Sequence, residues 1–275
     1  MRLIACILLC LFATGLTAQR EAANWYFGTH AGLDFNSGAP EVLLDGQIRT
    51  VEGCETFSDP DGNLIFYTEG NNVWNRFHEV MPNGTGLDGS FSTTQSALVV
   101  PNPADDDIYY IFTPDDVLTY KLGNPTGFNY SIVDMSLDGG RGDVVVKNTD
   151  LLTQGSEKVT GIRAPDGSFY WAITHYRDSF YAYRIDATGV NETPVVSKVG
   201  PLVDDFENFR GSIKVSPNGG KIAIAHTILN PSYKGSLYLF DFDVNTGRVN
   251  SSMALNDDRV YYGVEFSSNS TKLYA

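Results

Sequence analysis

The sequence predicts an all-β fold, a β-propeller of four-stranded antiparallel blades, and three observations lead to it. A turn motif recurs about every 50 residues, the segments beside each turn are rich in aromatic and β-branched residues, and no amphipathic helical pattern separates them. A repeat of this length with four short strands is typical of propellers. A β-sandwich is the main structural alternative, but it gives no reason for a turn at a fixed period.

Four turns set the period of the repeat. Asp-Gly and Asn-Gly favour tight hairpins because both residues tolerate positive φ. The gaps between successive turns are 105, 52 and 51 residues, so the first gap holds two periods. A divergent fifth turn is therefore predicted at residues 102–107. The four turns are Pro60-Asp61-Gly62, Pro165-Asp166-Gly167, Pro217-Asn218-Gly219 and Ser268-Asn269-Ser270.

The segments that follow each turn have the composition of buried strands. Aromatic and β-branched residues fill them, as the interior of a sheet requires. A second turn and a fourth strand complete each blade. We predict second strands at 64–67, 108–112, 169–173 and 222–225, and third strands at 72–74, 117–120, 180–185 and 236–242.

The two ends of the chain resemble complementary parts of one blade. Residues 25–38 resemble a third strand with its turn, whereas residues 261–275 resemble a first strand, its turn and the start of a second strand. Propellers often close by combining strands from both termini, which removes free edges. The sequence therefore predicts either closure as five blades or an incomplete propeller. We favour truncation at the C-terminus, because Leu273–Ala275 ends inside a predicted strand.

The first 18 residues have the pattern of a secretory signal peptide. Arg2 supplies a positive charge, Leu3–Leu16 is an uncharged apolar segment, and Thr17-Ala18 provides small residues for cleavage. The apolar segment is short for a transmembrane span, and no other long apolar stretch occurs. We therefore predict a signal peptide at 1–18, a propeller domain at 19–275, export from the cell and no transmembrane segment.

Cysteine content and net charge exclude several classes of function. Cys6 and Cys10 lie in the predicted signal peptide, so the mature chain has the single thiol of Cys54 and no internal disulfide. We interpret Cys54 as a core residue, because no nearby His offers a base for a nucleophile. The net charge of −14 lacks the basic surface that nucleic acid requires. Neutral sugars, cations and proteins stay as candidate partners.

A propeller places the starts of its first strands and the ends of its second strands on one face, where binding loops lie in most propellers. We name the centre of this face the mouth. Its charged, amide and aromatic side chains suit a polar ligand or a protein loop. The alternative is that Glu157, Lys158 and Arg210 only pair with one another. The candidate ligand-binding residues are Glu52, Gln95, Glu157, Lys158, His175, Arg177, Arg210, His226 and Tyr262.

The sequence predicts no metal, no cofactor and no assignable catalytic residue. Asp241–Gly247 spaces oxygen ligands as a Ca²⁺ loop does, but its Gly falls one position late and position twelve is Ser252 rather than Glu. The four histidines are scattered without ligand spacing. Neither a Gly-x-Ser-x-Gly motif nor a phosphate-binding glycine loop occurs.

Eight strings of the mature chain are distinctive in combination: Asn24–Gly28, Gly32–Phe35, Glu52–Cys54, Val73–Arg76, Met81–Gly86, Thr94–Ser96, Tyr130–Met135 and Tyr262–Ser267. Together they resemble the N-terminal, YVTN/WD40-like propeller of Bacteroidetes proteins exported by the type IX secretion system. Such proteins typically end in a gliding-motility-associated, type B sorting domain, which is absent from this sequence. The resemblance covers the mature chain and implies a location at the cell surface or in the medium, with no defined catalytic residues or ligand.

Two functions from different classes follow. The first is a secreted or cell-surface propeller that acts as a non-catalytic binding module for an extracellular protein or glycan, and we favour it. The alternative is a propeller-type hydrolase acting on carbohydrate, because two carboxylates across a channel suffice for that chemistry. Glu52, Glu69 and Glu157 are candidates for such a pair, although residues 58–62 depart from the sialidase Asp box by placing Pro60 at its Asp position.

Overall fold

A computed structural model describes residues 20–227, 235–256 and 259–275, so the predicted signal peptide lies outside the described residues. Within these ranges the strands form six antiparallel sheets in chain order. Four of the sheets contain at least four strands, which come from consecutive hairpins as in propeller blades. The predicted all-β propeller fold is confirmed.

We number the sheets as blades 1 to 6 along the chain. Blade 1 contains β1 (Asn24–Phe27), β2 (Ala31–Asp34) and β3 (Glu41–Leu43). Blade 2 contains β4 (Glu55–Ser58), β5 (Leu64–Thr68), β6 (Asn72–Asn75) and β7 (Val80–Thr85). Blade 3 contains β8 (Leu98–Asn102), β9 (Asp105–Thr113), β10 (Phe128–Asp134) and β11 (Asp143–Leu152).

Blade 4 has five strands, because both β15 and β16 pair with β14. They are β12 (Thr160–Arg163), β13 (Phe169–Tyr176), β14 (Ser179–Asp186), β15 (Gly189–Val190) and β16 (Val195–Lys198). Blade 5 contains β17 (Ile213–Val215), β18 (Lys221–His226), β19 (Ser236–Asp243) and β20 (Arg248–Asn256). Blade 6 contains β21 (Glu265–Phe266) and β22 (Leu273–Tyr274). Helix α1 (Val117–Lys121) and a 3₁₀ helix (Phe206–Phe209) lie in loops between strands.

The predicted turns join the first and second strands of blades 2 to 6. The divergent turn at 102–107 joins β8 to β9, where Asn102 pairs with Asp105. The other four turns are each closed by a backbone hydrogen bond between residues three apart. These bonds run from Gly62 N to Asp59 O, Gly167 N to Ala164 O, Gly219 N to Ser216 O and Ser270 N to Ser267 O.

One predicted strand is wrong. Residues 117–120, expected to be the third strand of blade 3, form α1, and the third strand is β10. Two carboxylates cause the difference. Asp116 is the N-cap of α1 and accepts a hydrogen bond from Leu118 N, and Asp115 accepts one from the Thr119 hydroxyl. Asp side chains that satisfy backbone groups at the start of a helix favour a helical turn over a strand.

Hydrophobic clusters lie between neighbouring blades, and strand alternation supplies them. On β13, Trp171 and Ile173 face blade 5, whereas Ala172 between them packs with Tyr110 and Phe112 of blade 3. Because successive residues of a strand point to opposite faces, one strand contributes to the clusters on both sides of its blade. This packing of sheet face against sheet face joins each blade to the next one along the chain.

The outermost sheets are partial blades. Blade 1 has three strands and blade 6 has two, and within the described ranges no strand of one pairs with a strand of the other. The architecture is therefore that of an incomplete propeller, and closure by a blade combining both termini is not observed. In the part of the chain described, no helix has the length and hydrophobicity needed to span a bilayer.

Candidate functional site

The loops that lead into the first strands of blades 2 to 6 meet at the mouth, and backbone hydrogen bonds link loops of neighbouring blades. The last of these loops also contacts the first: the Tyr262 hydroxyl donates to Glu52 Oε1 at 2.8 Å, which joins the loop before β21 to the loop before β4. The structure thus brings together the first-strand residues selected from the sequence. The backbone bonds run from Gly53 N to Thr93 O, Gln95 N to Glu157 O, Glu157 N to Phe209 O and Ser212 N to Tyr262 O.

Glu157 ties several of these loops together through its carboxylate. Oε2 accepts hydrogen bonds from the backbone N and the hydroxyl of Thr94 at 3.0 and 2.7 Å, and Oε1 accepts one from Val117 N at 3.1 Å. Arg210 Nε lies 3.9 Å from Oε1. Burial raises the pKa of the Glu157 carboxyl group above its ordinary value. The buried Glu157 carboxylate therefore connects the loop that contains Thr94 with the loop that contains Val117.

Lys158 is fully buried, and its ammonium group faces carbonyl oxygens instead of a carboxylate. Nζ donates to Phe209 O at 2.7 Å, to Asn208 O at 3.2 Å and to Arg210 O. These three acceptors satisfy the three protons of the ammonium group. Burial lowers the pKa of Lys158 to about 7, and the charge of Glu157 opposes the shift. Lys158 therefore fixes residues 208–210 against blade 4.

His175 at the end of β13 and His226 at the end of β18 are both buried, with ring centroids 5.5 Å apart. Nδ1 of His226 lies 3.3 Å from Asn208 O, one of the carbonyls that Lys158 also contacts. Burial, with the Lys158 charge, lowers the pKa of His175 to about 3 and lowers that of His226 well below its ordinary value. Both rings are neutral and enclosed at neutral pH.

The remaining five predicted residues keep contact with solvent. Glu52, Arg177 and Tyr262 are exposed, whereas Gln95 and Arg210 are partly buried. Four of the nine predicted residues, Glu157, Lys158, His175 and His226, are instead buried beside the mouth. The structure therefore does not place all nine on one accessible surface.

The alternative, that Glu157, Lys158 and Arg210 only pair with one another, describes part of the geometry. Glu157 and Arg210 approach each other, but Lys158 binds backbone carbonyls. Arg210 makes a closer ion pair with Glu207, whose other carboxylate oxygen lies 2.6 Å from Lys121 Nζ. The charges of Lys121, Glu207 and Arg210 are therefore compensated within the chain.

The apolar character of the mouth face was not predicted from the sequence. Among the described residues of its loops, seven large apolar side chains are between 41% and 77% exposed. Two of these positions are directly linked, since Val51 N donates to Phe91 O at 3.0 Å. Apolar residues inside predicted loops are the sequence signal that identifies such a surface. We name the seven the apolar rim; they are Val51, Phe91, Leu118, Leu122, Leu202, Val260 and Tyr262.

Two adjoining cavities lie at the opposite end of the first strands, where these strands lead into their turns. We name this end the turn face. The cavities have volumes of about 460 and 540 Å³, within the range of small-molecule sites. None of the nine predicted residues lines either cavity. Five residues line both: Glu21, Phe57, Pro101, Arg163 and Tyr170.

Two titratable groups lie at the start of β4. Cys54 is partly buried against the cluster that contains Tyr26 and Tyr67, in agreement with its interpretation as a packing residue. Burial raises the pKa of its thiol to about 12, so the thiol is protonated and a poor nucleophile at neutral pH. Burial also raises the pKa of Glu55 to about 7, although the Lys214 charge opposes this shift.

The donor groups of the described residues do not form a metal centre. In residues 20–227, 235–256 and 259–275, no three His, Cys, Asp or Glu side chains come together in a way that could hold a metal ion. In the Asp241–Gly247 segment, the Asp243 carboxylate accepts hydrogen bonds from Asn245 N and the Thr246 hydroxyl. These are the bonds of a turn between β19 and β20.

The sheets define the chain as a β-propeller. Comparisons with known proteins do not assign it to a family. No family model and no curated protein matches it. Among solved structures, a functionally unknown protein from Desulfotomaculum acetoxidans is 14% identical with a TM-score of 0.48, and the match covers 92% of this chain and 75% of that one.

Two further solved structures are similar. A candidate 6-phosphogluconolactonase from Bacteroides uniformis is 13% identical, with a TM-score of 0.45 and coverage of 88% of this chain and 69% of that one. TolB from Acinetobacter baumannii is 15% identical, with a TM-score of 0.36 and coverage of 84% and 49%. The match spans about half of TolB. These similarities concern the fold alone, and the link to type IX secretion stays a prediction.

Proposed function

We propose that the chain is an exported, non-catalytic binding module that docks a protein partner on its mouth face. The apolar rim is the observation that carries this proposal. Contiguous exposed apolar surface framed by polar residues is characteristic of protein interaction sites, whereas single exposed apolar residues are ordinary. Here seven such residues lie on the loops of the mouth face.

The charges of the mouth support docking in a second way. Lys121 pairs with Glu207, and Arg210 pairs with Glu207 and approaches Glu157. Since these charges are already compensated, a partner that covers them does not have to supply a counter-charge for each one. The buried Lys158 also hydrogen-bonds the carbonyl groups of residues 208–210 in one of these loops, and a loop that is already ordered costs less entropy on binding.

Export is the part of the proposal that rests on the sequence. The positive charge of Arg2, the apolar segment Leu3–Leu16 and the small residues Thr17-Ala18 support it. N-terminal sequencing of the protein recovered from the medium or the cell surface tests it. A chain that begins at Gln19 is the expected result, and a cytoplasmic chain that retains Met1 would contradict export.

Photo-crosslinking tests the docking face even though the partner is unidentified. A photoreactive p-benzoyl-phenylalanine replaces Phe91 in the rim or, as the matched control, Phe77, which is similarly exposed on the hairpin between β6 and β7. We expect irradiation of the source cells to give a discrete protein adduct from position 91 and none from position 77. Equal adducts from both positions, or none from either, would count against the proposal.

Substitutions then measure the contribution of the rim. Val51→Ser with Leu122→Ser removes exposed apolar surface from the mouth face, and Val42→Ser with Leu44→Ser removes the same residue types from the β3 region at similar exposure. We expect the first pair to weaken binding of the crosslinked partner at least about tenfold, or about 1.4 kcal/mol, and the second pair to leave it unchanged. Binding of a glycan in place of a protein, or hydrolysis of a carbohydrate, would favour the glycan-binding or the hydrolase alternative.

A further inference from the structure

The two cavities of the turn face contain an acidic group without a partner. Glu21 lines both cavities, and its Oε2 atom is buried without a hydrogen bond to any described residue. Its backbone is fixed, because Glu21 O accepts from Ser58 N at 3.0 Å. A buried carboxylate oxygen normally has a donor, and leaving it without one is unfavourable.

A basic group lines the same two cavities. The Arg163 guanidinium lies over the Tyr170 ring, 5.7 Å from its centroid, and Tyr170 also lines both cavities. In the described part of the chain, the Arg163 side chain takes part in none of the hydrogen bonds or ion pairs. Glu21 and Arg163 form no ion pair with each other within 4.0 Å, so both are available to a molecule between them.

The rest of the lining of the smaller cavity is largely apolar, whereas the larger cavity also contains Asp59, Asp106, Asp107 and Arg76. Phe57 and Pro101 belong to both cavities, and Leu98, Val100 and Ile162 belong to the smaller one. A ligand that fills the smaller cavity between Glu21 and Arg163, the two charged residues of its lining, therefore combines an apolar body with two opposite charges. A neutral sugar would cover both charges without neutralising either, which is unfavourable in a partly enclosed site.

We propose that the smaller of the two cavities is a binding site for a small zwitterionic ligand, whose ammonium group binds Glu21 and whose carboxylate binds Arg163. A short peptide with apolar side chains supplies this chemistry, and so does an amino-sugar acid. Arginine binds carboxylates through two parallel hydrogen bonds, which makes the second contact directional. This site is independent of the protein-docking surface on the mouth face.

Calorimetric titration of the full chain with defined probes tests the proposal. The peptides are Leu-Phe and Leu-Gly-Phe, each with a form acetylated at the amine and a form amidated at the carboxylate, and muramic acid is the zwitterionic sugar probe. We expect saturable binding of a zwitterion, weakened about tenfold by either cap. Binding of the peptides or of muramic acid identifies the source of the chemistry, and binding of none of them overturns the proposal.

Two variants assign each charge to its partner. In Glu21→Gln, acetylation of the amine should no longer weaken binding, and in Arg163→Gln, amidation of the carboxylate should no longer do so. Glu41→Gln and Arg248→Gln make the same charge changes on exposed residues away from the cavities and should leave both tenfold effects intact. Cap effects that persist in the cavity variants would overturn the assignment.

Unfolding of the ligand-free variants separates this proposal from simple internal pairing. Residues that pair only with each other would show a stability coupling between Glu21→Gln and Arg163→Gln in a double-mutant cycle. We expect additive changes in the unfolding midpoint. A clear coupling without ligand, together with absent zwitterion binding, would contradict the site.

Discussion

Gln95 forms two hydrogen bonds with the backbone of Ile213, 118 residues further along the chain. Oε1 accepts from Ile213 N at 2.8 Å and Nε2 donates to Ile213 O at 3.2 Å. The same Oε1 lies 3.4 Å from Val159 N. One amide side chain before blade 3 therefore connects the first-strand regions of blades 4 and 5, and its oxygen and nitrogen atoms are both used in bonds within the chain.

Replacing Gln95 tests this connection. Gln95→Leu removes both hydrogen bonds and leaves the backbone groups of the buried Ile213 without these partners, so we expect a loss of about 2 kcal/mol in unfolding free energy. Urea unfolding measures the change. Gln47→Leu, at an exposed position, is the control and should change stability by less than about 0.5 kcal/mol. Equal effects of the two substitutions would show that the connection contributes little.

The buried histidines predict a loss of stability in acid. His175 and His226 have folded-state pKa values below the ordinary value of 6.5, so the unfolded chain binds protons more readily. Their contribution is fully present above pH 6.5 and is lost as the pH falls toward the folded-state value, about 3 for His175. The slope for each histidine reaches at most about 1.4 kcal/mol per pH unit in this window.

Other groups titrate in the same range, so the prediction concerns a difference between proteins. Glu55, with its pKa raised to about 7, adds stability as the pH falls from about 7 toward 4.5 and opposes the histidines. We expect the unfolding free energy of His226→Gln to depend less steeply on pH than that of the natural protein between pH 6.5 and 5. Gln47→Leu, which removes no titratable group from an exposed position, should leave the slope unchanged, and parallel profiles for all three proteins would refute the prediction.

Local turn chemistry and strand composition made much of the fold predictable. The second strand at 169–173 lies within β13, because the Pro-Asp-Gly turn before it and its aromatic residues agree. The third strand of blade 3 was not predictable in the same way. Residues 117–120 have a composition compatible with a strand, and the helix depends on Asp115 and on a contact with Thr126, 11 residues later.

The sequence predicted which residues lie near the mouth better than it predicted which of them are buried. Topology alone brings Glu157 and Arg210 to one face. The ammonium group of the buried Lys158 is satisfied by three carbonyl groups at 208–210. Every residue has a backbone carbonyl group, so a sequence does not show which ones will bind a lysine. The turn-face cavities depend on where Glu21 lies against blade 2, a long-range contact that no local pattern encodes.

Gly127 occupies a position where a side chain meets the backbone. Its φ is +78°, and a Cβ atom would lie 1.9 Å from Leu152 O. Gly127→Ala therefore combines backbone strain with a steric clash, and we expect a loss of about 3 kcal/mol or more in unfolding free energy. Gly28 also has a positive φ, +57°, but open space around its Cβ position. Gly28→Ala should cost only about 1 kcal/mol, and similar losses for both would show that the clash is relieved by movement of Leu152.

Asp115 organises the loop that contains α1. Oδ1 accepts hydrogen bonds from the backbone N of Asp116 and of Thr126 and from the hydroxyls of Thr119 and Thr126, at 3.0–3.2 Å. Oδ2 lies 3.4 Å from Gly155 N. Because Asp115 is buried, removing its carboxylate leaves several donors without an acceptor.

We expect Asp115→Ala to lower the unfolding free energy by about 3 kcal/mol. Asp116→Ala is the matched comparison, since Asp116 accepts a single cap hydrogen bond from Leu118 N at 2.7 Å, and its loss should cost about 1 kcal/mol. Asp115→Asn retains one acceptor oxygen and should fall between the two. Chemical denaturation of the three variants measures these differences. An order in which Asp116→Ala is the more damaging substitution would mean that the helix cap, and not the Asp115 network, holds the loop between β9 and β10.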